Sequence, residues 1–89
     1  MTTYTIDLTK VHSYYELHEH LMEVLPLPDY YGRNMDALWD SLHRWFDEPV
    51  TIEVKGWDTV SKDLEETVQR LCRVLTCLQE QDGMIISYL

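Results

Sequence analysis

Residues Leu64–Leu89 read LEETVQRLCRVLTCLQEQDGMIISYL, and this stretch decides the fold. Leu64, Val68, Leu71, Leu75 and Leu78 recur at three-and-four spacing, which predicts a helix with one buried stripe. Gly83, preceded by Asp82, stops that helix, because glycine takes the left-handed backbone of a helix C-terminus without steric cost. Met84 to Leu89 are almost wholly apolar, the composition of a parallel strand covered on both faces.

Two further strands precede it. Val50, Ile52 and Val54 alternate with Thr51 and Glu53, and Tyr4, Ile6 and Leu8 alternate with Thr3, Thr5 and Asp7. This period of two marks strands with one buried side. Between them, Ser13 and Glu16 have the spacing of a capping box. The helix they open runs to about Leu25, with Tyr14, Leu17, Leu21, Val24 and Leu25 as its apolar stripe, and Pro26 and Pro28 end it. Asn34 is a suitable N-cap for a second helix, expected to reach about Phe46 before Asp47-Glu48-Pro49 breaks it. Trp57 to Leu64 reads as a short helical segment. Strands separated by helices need crossover connections and therefore pair in parallel. The expectation is an α/β fold in one domain spanning residues 1–89, a small three-stranded parallel sheet packed with about four helices. The apolar C-terminal strand is placed at its centre.

Sixteen acidic against seven basic side chains give a formal charge of -9. Such a surface repels phosphates and anionic headgroups, and it speeds encounter with basic proteins. Nucleic acid and membranes are therefore excluded as partners. The first residues, Met1 to Thr5, carry neither a basic nor an apolar leader segment, and no apolar run approaches a membrane span. A cytoplasmic protein is expected. Cys72 and Cys77, five apart on a helix, are separated by about 140° around its axis and about 7.5 Å along it. That geometry does not suit a disulfide, and the pair is read as two buried thiols.

The chemistry gathers between Pro28 and Phe46. On a wheel of about 100° per residue, Asp36, Asp40 and His43 share one face of the second helix, with Asp47 beside them if the helix extends that far. Met35, Leu38, Leu42 and Trp45 fall on the opposite, core-facing side, and Trp39 lies at the border. Like charges four apart cost a helix a few tenths of a kcal/mol, so the carboxylate pair points to a use outside the fold. Asp36 in the first turn also gains from the helix dipole. Tyr30, Tyr31 and Trp39 beside that charge have the composition of a protein-binding surface.

The run Leu27-Pro28-Asp29-Tyr30-Tyr31-Gly32, then Asn34 and Asp36-Ala37-Leu38-Trp39-Asp40, closely resembles the signature of the barstar family, intracellular inhibitors of barnase-like ribonucleases. Weaker likeness extends over the whole length. The resemblance implies an inhibitor in which the second helix and the loop before it plug a ribonuclease active site. It assigns Asp40 to the enzyme's phosphate subsite, Asp36 to active-site cations and Tyr30 to the catalytic histidine. Gly32, Asn34, Trp39, His43, Arg44 and Trp45 match further positions at or beside the contact. The implied partner is a basic secreted ribonuclease, and the free inhibitor is expected to be a monomer.

Two departures stand out. Where the family commonly has an acid after the Tyr-Tyr-Gly loop and a glycine before the helix-end tryptophan, this chain has Arg33 and Arg44. A late acidic contact on the last long helix has no clean match, with Leu78 or Cys77 in its place and Glu80 and Asp82 nearby. An enzyme is not expected, because no phosphate loop, nucleophile elbow or zincin motif is present. No cofactor or metal is expected either: Asp36, Asp40 and His43 lack an organised fourth ligand. His12, His18 and His20 read as surface or packing residues. The alternative is a barstar-like module that binds a basic protein other than a nuclease, or itself.

Overall fold

The computed structural model describes residues 2–89. Three strands, β1 (Thr3–Asp7), β2 (Thr51–Lys55) and β3 (Ile85–Tyr88), form one parallel sheet in the order β1-β2-β3. Thr3 pairs with Thr51 and Ile6 with Val54, while Thr51 and Val54 pair onward with Ile85 and Tyr88. Three helices connect and cover them: α1 (Tyr14–Val24), α2 (Met35–Leu42) and α3 (Glu65–Asp82). Two short 3₁₀ turns, Leu8–Lys10 and Lys62–Leu64, complete the helical count, so the segment from Trp57 is helical only at its end.

The register explains why one side of the sheet is apolar. Ile6, Ile52, Val54 and Ile86 lie on the face that meets the helices, and the first three are fully buried. Leu17 and Leu21 from α1, Leu38 and Leu42 from α2, and Leu71, Leu75 and Leu78 from α3 complete this core with zero exposure. The other face carries Thr3, Thr5, Thr51, Glu53 and Ser87, none of them buried. The central position belongs to β2, not to the C-terminal strand. β3 is an edge with Ile85 46% exposed. Its apolar run reflects packing of alternate residues on α3 and Trp57, whose ring meets Tyr88 edge-on at 6.4 Å, rather than cover on both faces.

The helix ends follow local chemistry. Ser13 accepts from the Glu16 amide at 3.1 Å, and the Glu16 carboxylate reaches back to the His12 amide at 2.8 Å. The capping box thus closes one residue further out than expected. Gly83 ends α3 at a φ of 71°, a backbone that favours glycine. Cys72 is half-buried and Cys77 exposed, both as free thiols, so the expected pair of buried thiols is not found. Cys77 lies off the leucine stripe of α3, beside Leu78 rather than in line with it.

α1 packs on β1, α3 on β3, and α2 on α3. Asp36 shares a groove with Arg70 and Arg73, while the residues following α2 bond to Asp82 at the end of α3. The two helices therefore run side by side in the same direction, and the outer face of α2 is left free. Among the described residues no helix is long and apolar enough to cross a membrane.

Candidate functional site

The site begins in the loop that leads into α2. Leu27 and Tyr31 donate backbone hydrogen bonds to Leu25 and Pro28, at 2.8 and 3.0 Å, and so fold the loop into a turn. Tyr30 sits at its tip, 88% exposed, while Tyr31 beside it is only 6% exposed. The hydroxyl of Tyr31 meets Nδ1 of the fully buried His18 at 2.8 Å and donates to the Asn34 carbonyl at 3.2 Å. Tyr14 donates to the Arg33 carbonyl at 2.6 Å and packs edge-on against His18. α1 therefore grips the loop from below through two side chains.

Burial sets the protonation of this grip. Loss of hydration pushes the Tyr31 phenol well above its ordinary range and holds His18 below the usual imidazole value, with the Arg33 charge adding to the effect on His18. His18 is thus neutral at pH 7, and its Nε2 has no hydrogen-bond partner in the core.

Asn34 caps α2, its Oδ1 accepting from the Ala37 amide at 2.7 Å and its amide group donating to the Gly32 carbonyl at 3.2 Å. Gly32 itself needs no left-handed backbone; that conformation falls on Arg33, at a φ of 53°. The Arg33 guanidinium turns onto α1, paired with Glu19 at 2.7 Å and lying over the Tyr15 ring at 5.4 Å.

Along α2, Asp36 and Asp40 are exposed, with Trp39 half-buried beside them. One helical turn separates the carboxylates, about 6 Å of rise. Asp40 and Ser41 line a groove of about 430 Å³ whose walls are Tyr30, Trp45 and the loop prolines Pro26 and Pro28. A carboxylate between two aromatic rings suits a guanidinium or ammonium group, which gains both ion pairing and stacking there.

The helix stops at Leu42, four residues short of the expected end. Arg44 takes a left-handed backbone at a φ of 59°, and its amide donates to Asp82 Oδ2 at 2.7 Å. The other oxygen of Asp82 lies 2.9 Å from Nδ1 of His43, and His43 stacks on Trp39 at 4.3 Å. His43 therefore belongs to a clamp between α2 and α3 and not to the acidic face. Trp45, on the core side of the helical wheel but matched by resemblance to the contact surface, is turned out by the same kink and is 62% exposed. Asp47 also leaves the helix.

The structure thus brings Tyr30, Asp40 and Trp45 around one groove, with Asp36 one turn away on the same helix. Gly32 and Asn34 support the entry to α2, Trp39 and His43 stack at its exit, and Arg44 is exposed just past its end. Asp82 is the residue that sequence reasoning did not place. Its hydrogen-bond partner Arg44 lies 38 residues away, and no local pattern signals such a bond.

The family model described as Barstar (barnase inhibitor) matches residues 1–85. A protein of Bacillus subtilis (strain 168) named "Putative ribonuclease inhibitor YrdF" is 40% identical over 65 residues, covering 73% of this chain and 71% of that protein.

Proposed function

The chain belongs to the barstar family, and from that premise we propose that it inhibits a basic ribonuclease by seating α2 and the preceding loop in the enzyme's active site. The observation that carries the reading is the exposed Asp40 carboxylate in the groove walled by Tyr30 and Trp45, with Asp36 one turn away. A ribonuclease must line its cleft with cations to bind phosphodiesters and to stabilise the transition state. Two carboxylates fixed on one helix mimic successive phosphates without offering a bond to cleave. The chain then acts as an inhibitor, not as an enzyme.

Rigidity favours the mimic over the natural substrate. RNA must be ordered on binding, whereas Asp36 and Asp40 are already held by a capped helix, so less entropy is lost. In the bound state Tyr30 and Trp45 exclude water from the Asp40 ion pair, which strengthens it. Barnase and barstar are the reference case for such charge coupling. The formal charge of -9 accelerates capture of a basic enzyme. That is the property needed where a secreted, barnase-like nuclease would otherwise meet the cell's own RNA, in the cytoplasm, and the free inhibitor would act there as a monomer.

The test is titration of the purified chain into a basic ribonuclease during RNA hydrolysis. Micromolar or lower concentrations are expected to abolish hydrolysis, and Asp36→Ala combined with Asp40→Ala to restore it. Inhibition that survives both substitutions would remove the proposed mode of binding.

A further inference from the structure

The acidic face of α2 is bounded by cations that the fold itself does not use. Past its C-terminal end stands Arg44, exposed and held in the left-handed region. Such a backbone is strained for a long side chain and easy for glycine, so an arginine there carries a cost that a role for its side chain would offset. The Arg44 guanidinium has no ion pair among the described residues. At the other end, Asp36 shares a groove of about 390 Å³ with Arg70 and Arg73 of α3. Arg70 is engaged by Glu66 at 2.8 Å, while Arg73 is exposed and unpaired among the described residues. Arg33 stands apart from these, since Glu19 and Tyr15 already hold it on α1.

We infer that Arg44 and Arg73 select a ribonuclease whose cationic cleft is flanked on both rims by carboxylates. The inference rests on the ribonuclease reading above and refines it. α2 is eight residues long, so the two cations stand on the order of 12–15 Å apart along its axis. Against a cleft that is basic out to its edges, both would meet like charge and weaken docking. Against one with acidic rims, each forms an ion pair outside the central Asp36 and Asp40 contacts and fixes the direction in which the helix lies. Repulsion of the wrong enzyme and attraction of the right one then come from the same two side chains. The solubility explanation for these arginines fails at Arg44, because a glycine there would relieve the backbone and leave the chain still acidic.

The probe is the basic ribonuclease fraction that the source organism secretes, purified by cation exchange. Wild type, Arg44→Gly, Arg73→Ala and the double variant are compared for inhibition and for melting temperature. The double variant is expected to inhibit at least tenfold more weakly while melting no lower than wild type. A complementary readout uses Arg44→Lys, which carbodiimide should couple to an Asp or Glu of the ribonuclease, identified by mass spectrometry. Equal or tighter inhibition by the double variant, or a complex in which that coupling does not occur, overturns the selection by acidic rims and leaves the inhibitor reading intact. A wild-type chain without effect on the fraction overturns both.

Discussion

At the start of α2 the backbone is fixed by neutral hydrogen bonds from α1, whereas at its end it is fixed by a single carboxylate from α3. His18 holds Tyr31, which in turn holds Asn34, and Tyr14 holds Arg33; from α3, Asp82 meets both Arg44 and His43. Each end places one aromatic residue of the groove, Tyr30 at the first and Trp45 at the second. Each end also forces an arginine into the left-handed region. The face proposed for recognition is thus a helix held between two clamps of different chemistry, and the clamp residues do not line the groove.

The largest expected effect breaks the comparison at its first end. Tyr31→Phe leaves His18 without any hydrogen-bond partner and the Asn34 carbonyl short of one. Denaturant unfolding should report a loss of about 1–3 kcal/mol. At the second end, Asp82→Ala removes the acceptor of the Arg44 amide, an exposed bond, and the carboxylate beside the buried Nδ1 of His43. A smaller loss, about 1–2 kcal/mol, is expected there, together with weaker inhibition as Trp45 is released.

Acid separates the two clamps further. The folded chain binds a proton at His18 less readily than the unfolded chain does, so protons favour unfolding. The stability associated with this residue is complete above its ordinary value of 6.5 and is lost as pH falls below it. His18→Gln should flatten the dependence of unfolding free energy on pH in that window, while Asp82→Ala should leave the His18 contribution in place. The smallest effect distinguishes the two arginines. Arg44→Gly should gain about 1 kcal/mol from relief of the left-handed backbone. Arg33→Gly should gain less, because it also gives up the Glu19 pair and the contact with Tyr15. Thermal melts of the two variants side by side check the order.

Of the two clamps, only the Asn34 cap was legible in the sequence, since Tyr14 and His18 reach their partners across 19 and 13 residues. Asn34 as a cap, the exposed pair Asp36 and Asp40, and the three parallel strands all follow from patterns within a few residues. The early stop of α2 does not, because Asp82 acts from 38 residues away. A helical wheel assumes that the helix continues, so it sent Trp45 to the core and His43 to the acidic face. The edge position of β3 was hidden for a related reason. An apolar run reports that side chains are covered, but Ile85 and Tyr88 lie at a partly open edge, and neither composition nor period gives strand order. Family resemblance is the source of the roles proposed for the site residues, while Arg33 and Arg44 mark where this chain departs from the family's common pattern.

The central claim is that the outer face of α2 serves binding while its inner face and its clamps serve the fold. Asp40→Ala tests it most directly, with the inhibition constant and the unfolding free energy measured on the same preparation. Asp40 is exposed and makes no hydrogen bond or ion pair within the chain among the described residues. The account predicts inhibition weaker by about 100-fold or more and stability within about 0.5 kcal/mol of wild type. Unchanged inhibition, or a loss of stability that accounts for the loss of inhibition, would contradict it.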